Sequence, residues 1–134
     1  MYNKIIVSLS LDHGIGQAAI KTARSLLDEG GLIIAVHVYE PPSSSVSTFL
    51  TEEAVANAHA AAKSRLAARL AETTDVEGVM LMGHSGRAIT DYAEKSAADC
   101  IIVGSHKPGL RDYLLGSTAA RVVRHAPCSV HVLR

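Results

Sequence analysis

The sequence predicts an α/β fold, in which an open, five-stranded parallel sheet carries helices on both faces. Three observations lead to this prediction. Five short apolar stretches alternate with four segments of helical periodicity. The apolar stretches place Ile and Val at consecutive positions, as strands do when both faces of their sheet are covered. The chain has 134 residues, 48% of them hydrophobic, which fits one packed domain over residues 1–134.

The first two strands enclose the first helix. Ile5–Val7, with Leu9, form the first strand, and Asp12 caps the helix that follows. The apolar positions of that helix are Ile15, Ala18, Ala19, Ala23, Leu26 and Leu27. Gly30-Gly31 is expected to end the helix, because glycine is common at helix C-termini. Residues 32–38 then form the second strand.

The middle of the chain continues the alternation. A long alanine-rich helix begins at Thr51, after a Pro- and Ser-rich loop over residues 41–45. Its buried side is expected to consist of Val55, Ala58, Ala62, Leu66 and Leu70. Residues 79–82 form the third strand, and Ser85-Gly86 leads into the third helix. The apolar positions of the third helix are Ile89, Tyr92, Ala93 and Ala97.

The C-terminal part supplies the last two strands and the last helix. Cys100–Val103 form the fourth strand, and the fourth helix follows Gly116 and is stopped by Pro127. The inward positions of that helix are Ala119, Val122, Val123 and Ala126. Ser129–Leu133, the fifth strand, alternates polar residues with apolar ones. It is either a simple sheet edge or pairs with its copy in a second subunit.

Composition and charge exclude several classes of partner. Thirteen Lys and Arg balance thirteen Asp and Glu without a basic cluster, which argues against nucleic acid and anionic membranes. No apolar run reaches membrane-spanning length and no signal peptide precedes the first strand, so we expect a cytoplasmic protein. Cys100 and Cys128 lack metal-binding or redox spacing. They are interpreted as small buried hydrophobic residues, and no metal site is predicted.

The alternation also predicts where a ligand binds. Ligands of open parallel sheets lie beyond the carboxyl ends of the strands, where the strand order reverses. Two flavodoxin-like or Rossmann-like orders fit, 3-2-1-4-5 and 2-1-3-4-5, and strand one borders the reversal in both. In the first order strand four is its neighbour across the crevice. Ser10 and Gly104 would then face one cavity.

The loop after the fourth strand is the strongest candidate for phosphate binding. Gly104 lacks a Cβ, and Gly116-Ser117-Thr118 places N–H groups and hydroxyls at the start of a helix. His106 and Lys107 lie between these glycines, followed by a turn at Pro108-Gly109. An ordinary Ser or Thr cap at this helix start is the alternative interpretation. Neither a P-loop nor a GxGxxG after the first strand is present.

The run GSHKPGLRDYLLGSTAARVVRHAPCSVHVLR, Gly104 to Arg134, resembles the C-terminal signature of the universal stress protein family. It is similar in particular to a small bacterial subgroup with a His-Arg/Lys-Pro loop, whose members bind ATP. The start KIIVSLSLDHG, His37-Val38 at the end of strand two, and Gly86 before the third helix also fit. The resemblance therefore extends over essentially the whole chain.

The resemblance implies the strand order 3-2-1-4-5, a homodimer through Ser129–Leu133, and ATP or AMP as ligand, with or without Mg²⁺. Together with the loop, it gives these candidate nucleotide-binding residues: Ser8, Leu9, Ser10, Val38, Val103, Gly104, His106, Lys107, Gly109, Gly116, Ser117 and Thr118. Three positions depart from the family pattern. Ser8 stands where the family commonly has Pro. Ser10 stands where the family usually has Asp, and Lys107 stands where its signature has a middle glycine, with Gly109 two positions later.

Three functions fit these expectations. The leading one is an ATP- or AMP-binding regulatory homodimer in a stress response, with an unidentified regulatory protein as partner. The second is a dimeric interaction module that binds no nucleotide, as in one branch of the family, and Ser10 favours it. The third is a slow ATPase or autokinase. The acids near the loop are Asp12 and Asp112, which make no evident catalytic set, so no catalytic residue is predicted.

Overall fold

The computed structural model describes residues 1–11, 16–41, 50–105 and 115–134. Its elements, in chain order, are β1 (Tyr2–Ser8), α1 (Gly16–Leu26), β2 (Leu27–Tyr39), α2 (Glu52–Arg69), β3 (Val76–Met82), α3 (Ser85–Lys95), β4 (Cys100–Gly104), α4 (Ser117–His125) and β5 (Ser129–Leu133). Neighbouring strands pair in parallel, in the order β3-β2-β1-β4-β5. The predicted α/β fold and the 3-2-1-4-5 order are confirmed.

Both faces of the sheet are buried, which explains the consecutive Ile and Val residues of the strands. Successive side chains of a strand point to opposite faces. Ile5 and Val7 of β1 therefore join the core under α1 and α2, whereas Ile6 joins the core under α3 and α4. Cys100 lies in the first of these cores, and burial raises the pKa of its thiol to about 11. The thiol thus stays protonated and packs as a small apolar group, as expected.

The junction between α1 and β2 differs from the prediction. The helix ends at Leu26, and Leu27 already pairs with Tyr2 of β1. Gly30 and Gly31 lie in the irregular first part of β2, where the register with β1 shifts. Gly30 adopts a φ of +79°, a conformation that glycine accepts at little cost. The prediction was wrong because a helix end and an irregular strand start can use the same left-handed glycine.

Two helices, α2 and α4, bury fewer apolar residues than their sequence pattern predicted. Within α2 and its C-cap only Leu66 and Leu70 are buried, and Ala58 is exposed. In α4 Ala119 and Val122 face the core, but Val123 is 49% exposed. A helix that packs on a sheet buries only the stripe that faces the sheet, so apolar positions outside that stripe remain in contact with water. Among the helices that the structure describes, none is long and apolar enough to cross a bilayer.

Candidate functional site

A cleft of about 660 Å³ opens at the carboxyl ends of β1, β2 and β4, where the strand order reverses. Nine residues named from the sequence line it: Ser8, Leu9, Ser10, Val38, Val103, Gly104, Gly116, Ser117 and Thr118. His106, Lys107 and Gly109 lie outside the described residues, as do Asp12 and Asp112. The structure therefore brings Ser10 and Gly104 to one cavity, as the strand order required.

The backbone that follows β1 forms one wall of the cleft. The N–H of Leu9 donates to the carbonyl of Val36 at 2.8 Å, and its own carbonyl lies 3.1 Å from Nδ1 of His37. Leu9 and Leu11 are both buried in the core under α1 and α2. Ser10 lies between these two anchored residues and is exposed on the side of the cleft.

Two arginines of α2 hold the same wall from behind. Nη2 of Arg65 and Nη1 of Arg69 donate to the carbonyl of Leu11 at 3.2 and 3.1 Å. A carbonyl that accepts from two guanidinium groups is held by charge-assisted hydrogen bonds, which are stronger than neutral ones. The position of Ser10 is therefore set on both sides, by β2 and by α2.

The opposite wall is built where β4 approaches the start of α4. The N–H of Gly116 donates to the carbonyl of Ser105, and the N–H of Ser105 donates to the carbonyl of Leu133 at 2.7 Å. Ser105 itself is fully buried. These two bonds place Gly104 and Gly116 side by side on the surface of the cleft.

The N-terminus of α4 opens into this cleft without a side-chain cap. Gly116 occupies the N-cap position, so the alternative interpretation of an ordinary Ser or Thr cap is wrong. No described residue accepts a hydrogen bond from the N–H of Ser117 or of Thr118. These two groups and the positive end of the helix dipole together form an environment suited to an anion.

The N-terminus of α3 borders the same cleft but is already occupied. Oε1 of Glu40, which follows β2, accepts from the N–H and the Oγ of Ser85 at 3.0 and 2.6 Å. His84, the N-cap residue, makes no side-chain capping bond. The Glu40 carboxylate therefore acts as the cap of α3 from a distant strand.

Sequence reasoning missed several residues of the cleft. Besides Glu40 and Ser85, these are His37, Tyr39, Ser105, Ile89 and Ala119. A usable signal existed, because the helices of a parallel sheet begin at the edge where the strands end. The residues that follow Val38, and the first turns of α3 and α4, belong to that edge.

The described wall offers no metal site. In the part of the chain that the structure describes, no group of three or more His, Cys, Asp or Glu could hold a metal ion. Glu40 is the one carboxylate among the described residues that line the cleft, and Oε1 of that carboxylate is bonded to Ser85. Mg²⁺ is usually held by one or two carboxylates together with substrate phosphates. The described residues therefore do not fit a preformed magnesium site.

Comparison with known proteins agrees with this architecture. The sequence model described as the universal stress protein family matches residues 1–134. The chain belongs to this family. Universal stress protein G of Shigella flexneri is 29% identical over 143 residues, with 100% of both chains covered. A universal stress protein of Thermus aquaticus is 30% identical over 126 residues, covering 92% of this chain and 91% of that protein.

Solved structures of this family have the same fold. Universal stress protein UspA from Lactobacillus plantarum superimposes with a TM-score of 0.71 at 26% identity, covering 99% of this chain and 98% of that one. A universal stress protein in complex with cAMP gives 0.62 at 23%, with 99% and 97% covered. The Archaeoglobus fulgidus protein in complex with dAMP gives 0.63 at 19%, with 99% and 98% covered. The last two likenesses concern the fold alone.

Proposed function

We propose that this protein is a nucleotide-binding regulatory member of the universal stress protein family. It binds ATP or AMP in the cleft between β1 and β4 and acts as a homodimer in a stress response. The observation that carries the proposal is the uncapped start of α4, where the N–H groups of Ser117 and Thr118 have no described acceptor. A phosphate group satisfies both donors and lies at the positive end of the helix dipole.

The phosphate end of the ligand is assigned to the region around α4. Gly104 and Gly116 carry no side chain, so a phosphate approaches the backbone closely from either side. His106 and Lys107 follow Ser105 directly in the sequence, and we assign them to the same end of the ligand.

The base end is assigned to the apolar part of the cleft. Half-buried Val38 offers most of the aliphatic surface against which an adenine ring packs, and Leu9 and Val103 add the few per cent of their surface that is exposed. We assign the backbone groups of Val38 to the edge of the base. A volume of about 660 Å³ is in the range of small-molecule sites. Two proteins of the same fold were solved with cAMP and dAMP, which are adenine nucleotides with one phosphate group.

Calorimetry with ATP and AMP on ligand-free protein tests the proposal. Gly116→Val is expected to weaken nucleotide binding about a hundred-fold. The added side chain keeps the phosphate away from the N–H groups of α4, so their charge-assisted hydrogen bonds to it are lost. The same side chain at the opposite end of α4, in His125→Val, serves as control and should bind as the natural protein does. Equal affinity of Gly116→Val and the control would place the phosphate elsewhere.

The homodimer is proposed from the free edge of the sheet. In the described residues β5 pairs only with β4, and Ser129 and His131 are exposed. Strand edges of this kind pair readily with a second copy. Sedimentation equilibrium should give twice the mass of the 14.1 kDa chain. A monomer mass at every accessible concentration contradicts the dimer without affecting the nucleotide site.

A dimeric module that binds no nucleotide is the second candidate function. Ser10 favours it, because the wall after β1 presents a hydroxyl where the family usually carries a carboxylate. The chain has no Trp, so bound adenine would raise the 260/280 nm absorbance ratio of the purified protein clearly. A protein-like ratio together with titrations that give no heat selects this second candidate.

A further inference from the structure

Helices α3 and α4 pack directly against each other at Gly86. This glycine is buried in the first turn of α3, next to Ser85, which lines the cleft. The aliphatic stem of Arg121, on α4, covers it. A Cβ at position 86 would lie 2.7 Å from Cδ, 2.9 Å from Cβ and 3.0 Å from Cγ of Arg121. Carbon atoms in contact are normally about 3.5–4.0 Å apart, so no side chain fits here while the two helices keep this spacing.

Arg121 cannot relieve this contact by changing its rotamer alone. Its Cγ and Cδ can turn away, but its Cβ is attached to Cα and moves only with the backbone of α4. A Cβ at position 86 would therefore displace α4 from α3 by roughly 0.5–1 Å. The start of α4 is held to β4 by the bond from the N–H of Gly116 to the carbonyl of Ser105. We therefore expect the displacement to change the direction of the first turn of α4 as well as its position.

The displaced part of α4 carries the donors that are assigned to the phosphate. Ser117 and Thr118 precede Arg121 by four and three residues, so all three lie within about one turn of the helix. Ile89 of α3 and Ala119 of α4 belong to the same buried core, which joins the two helices beneath that turn. A hydrogen bond from an N–H to an oxygen weakens beyond a donor–acceptor distance of about 3.2 Å. A shift of a fraction of an ångström in α4 therefore acts directly on phosphate binding.

We propose that Gly86 is a positioning residue of the cleft: its missing side chain lets α4 lie close to α3, where the N–H groups of Ser117 and Thr118 reach a phosphate. This inference rests on the proposed nucleotide binding. Gly86 is not among the described residues that line the cleft. Its effect passes through Arg121 and the placement of α4, and it concerns the phosphate end of the ligand rather than the base.

An exchange of side-chain volume between the two helices tests this role. Gly86→Ala adds the Cβ, and Arg121→Gly removes the three atoms that this Cβ would meet. In calorimetry, Gly86→Ala is expected to weaken AMP binding about ten-fold in the natural background, because a charge-assisted hydrogen bond is lost. In the Arg121→Gly background the same substitution should cost less than about two-fold. Arg121→Gly alone is the reference there, since it accounts for the lost arginine charge.

Adenosine separates positioning of the phosphate from general disturbance of the cleft. It lacks the phosphate, so its affinity for Gly86→Ala should stay within about two-fold of that for the natural protein. Gly78→Ala is the matched control. A Cβ at this position of β3 would lie 2.8 Å from Cδ1 of Leu70, and Gly78 is not among the described residues of the cleft. Whatever its effect on stability, it should change the affinities for AMP and adenosine by less than about two-fold.

The possible failures are distinguishable. An equal loss of AMP affinity in both backgrounds overturns the role of Gly86, as does unchanged AMP affinity in Gly86→Ala or a loss shared equally by adenosine. The proposed function stands in each of these cases. Absence of AMP and ATP binding by the natural protein overturns both.

Urea unfolding curves verify that each variant is folded. Should Gly86→Ala fail to fold alone, the comparison of Arg121→Gly with the double variant decides: similar AMP affinities support the inference, and a ten-fold loss overturns it.

Discussion

The two ends of the parallel sheet differ in the polar groups that the described residues leave without a hydrogen-bond partner. At the amino end the protein satisfies them itself: the Asp99 carboxylate accepts from the N–H groups of Asn3 and Lys4 at 2.8 and 2.9 Å, and Lys4 Nζ donates to the carbonyl of Ser96 at 2.6 Å. At the carboxyl end, N–H groups at the start of α4 have no described acceptor. The first end therefore contributes to stability, and the donors at the second are the ones to which we assign a ligand.

The largest expected effect separates these two roles. Asp99→Ala removes the acceptor of two backbone N–H groups and should lower the free energy of unfolding by about 2 kcal/mol, measured by urea denaturation. Asp91→Ala, at an exposed position of α3, is the control and should stay within about 0.5 kcal/mol of the natural protein. Nucleotide affinity of the folded Asp99→Ala protein should be unchanged. A large loss of affinity would show that the two ends of the sheet are not independent.

A second prediction follows the same carboxylate with pH. Burial raises the pKa of Asp99, but the backbone N–H groups of Asn3, Lys4 and Asp99 itself, together with the charge of the N-terminus, outweigh burial and hold the pKa below its usual value. The ionised Asp99 therefore stabilises the protein above about pH 3.9, its pKa in the unfolded chain. This contribution disappears as the pH falls through the lower pKa of Asp99 in the folded protein. The stability difference between the natural protein and Asp99→Ala should shrink below about pH 4. A difference that stays constant into strong acid contradicts this account.

The smallest expected effect concerns the chain that leads into the amino end. Ala97 has a φ of +54° and follows α3. The N–H of Ala97 donates to the carbonyl of Glu94, and the N–H of Ala98 donates to the carbonyl of Ala93. This pair of hydrogen bonds is the pattern of a Schellman helix end. Glycine suits this position, so Ala97→Gly should raise the free energy of unfolding by about 0.5 kcal/mol.

Ala61→Gly is the matched control for that substitution. Ala61 is exposed in the middle of α2, where glycine is expected to cost about 1 kcal/mol. The same chemical change should therefore have opposite signs at the two positions, in parallel thermal or urea unfolding. A loss of stability at both positions would mean that the left-handed turn after α3 carries little strain.

The sequence predicted the fold and most of the cleft because both follow from repeated local patterns. Consecutive apolar residues indicated a sheet covered on both faces, and the parallel arrangement then brought the segments after β1 and β4 to one edge. The resemblance to the family chose between the two possible strand orders. Ser10, Gly104 and Gly116 could thus be placed together although they are far apart in the chain.

The features that escaped prediction depend on tertiary contacts. Glu40 caps α3 through Ser85, 45 positions away, and no local pattern links a carboxylate after one strand to a helix after the next. Gly30 was assigned to a helix end because glycine is common there, but the left-handed conformation it adopts occurs equally in the irregular start of a strand. Val123 was expected to be buried because the periodicity identifies the apolar side of a helix. It does not show how much of that side the sheet covers.

The bond between Ser105 and Leu133 has a consequence for communication within the molecule. The N–H of buried Ser105 donates to the outermost strand, and its carbonyl accepts from the N–H of Gly116 at the mouth of the cleft. The surface proposed to contact a second subunit and the surface proposed to bind phosphate are thus both hydrogen-bonded to the backbone of Ser105. A displacement of Ser105 would move both surfaces, so we expect the proposed nucleotide binding and the proposed pairing of subunits to be coupled.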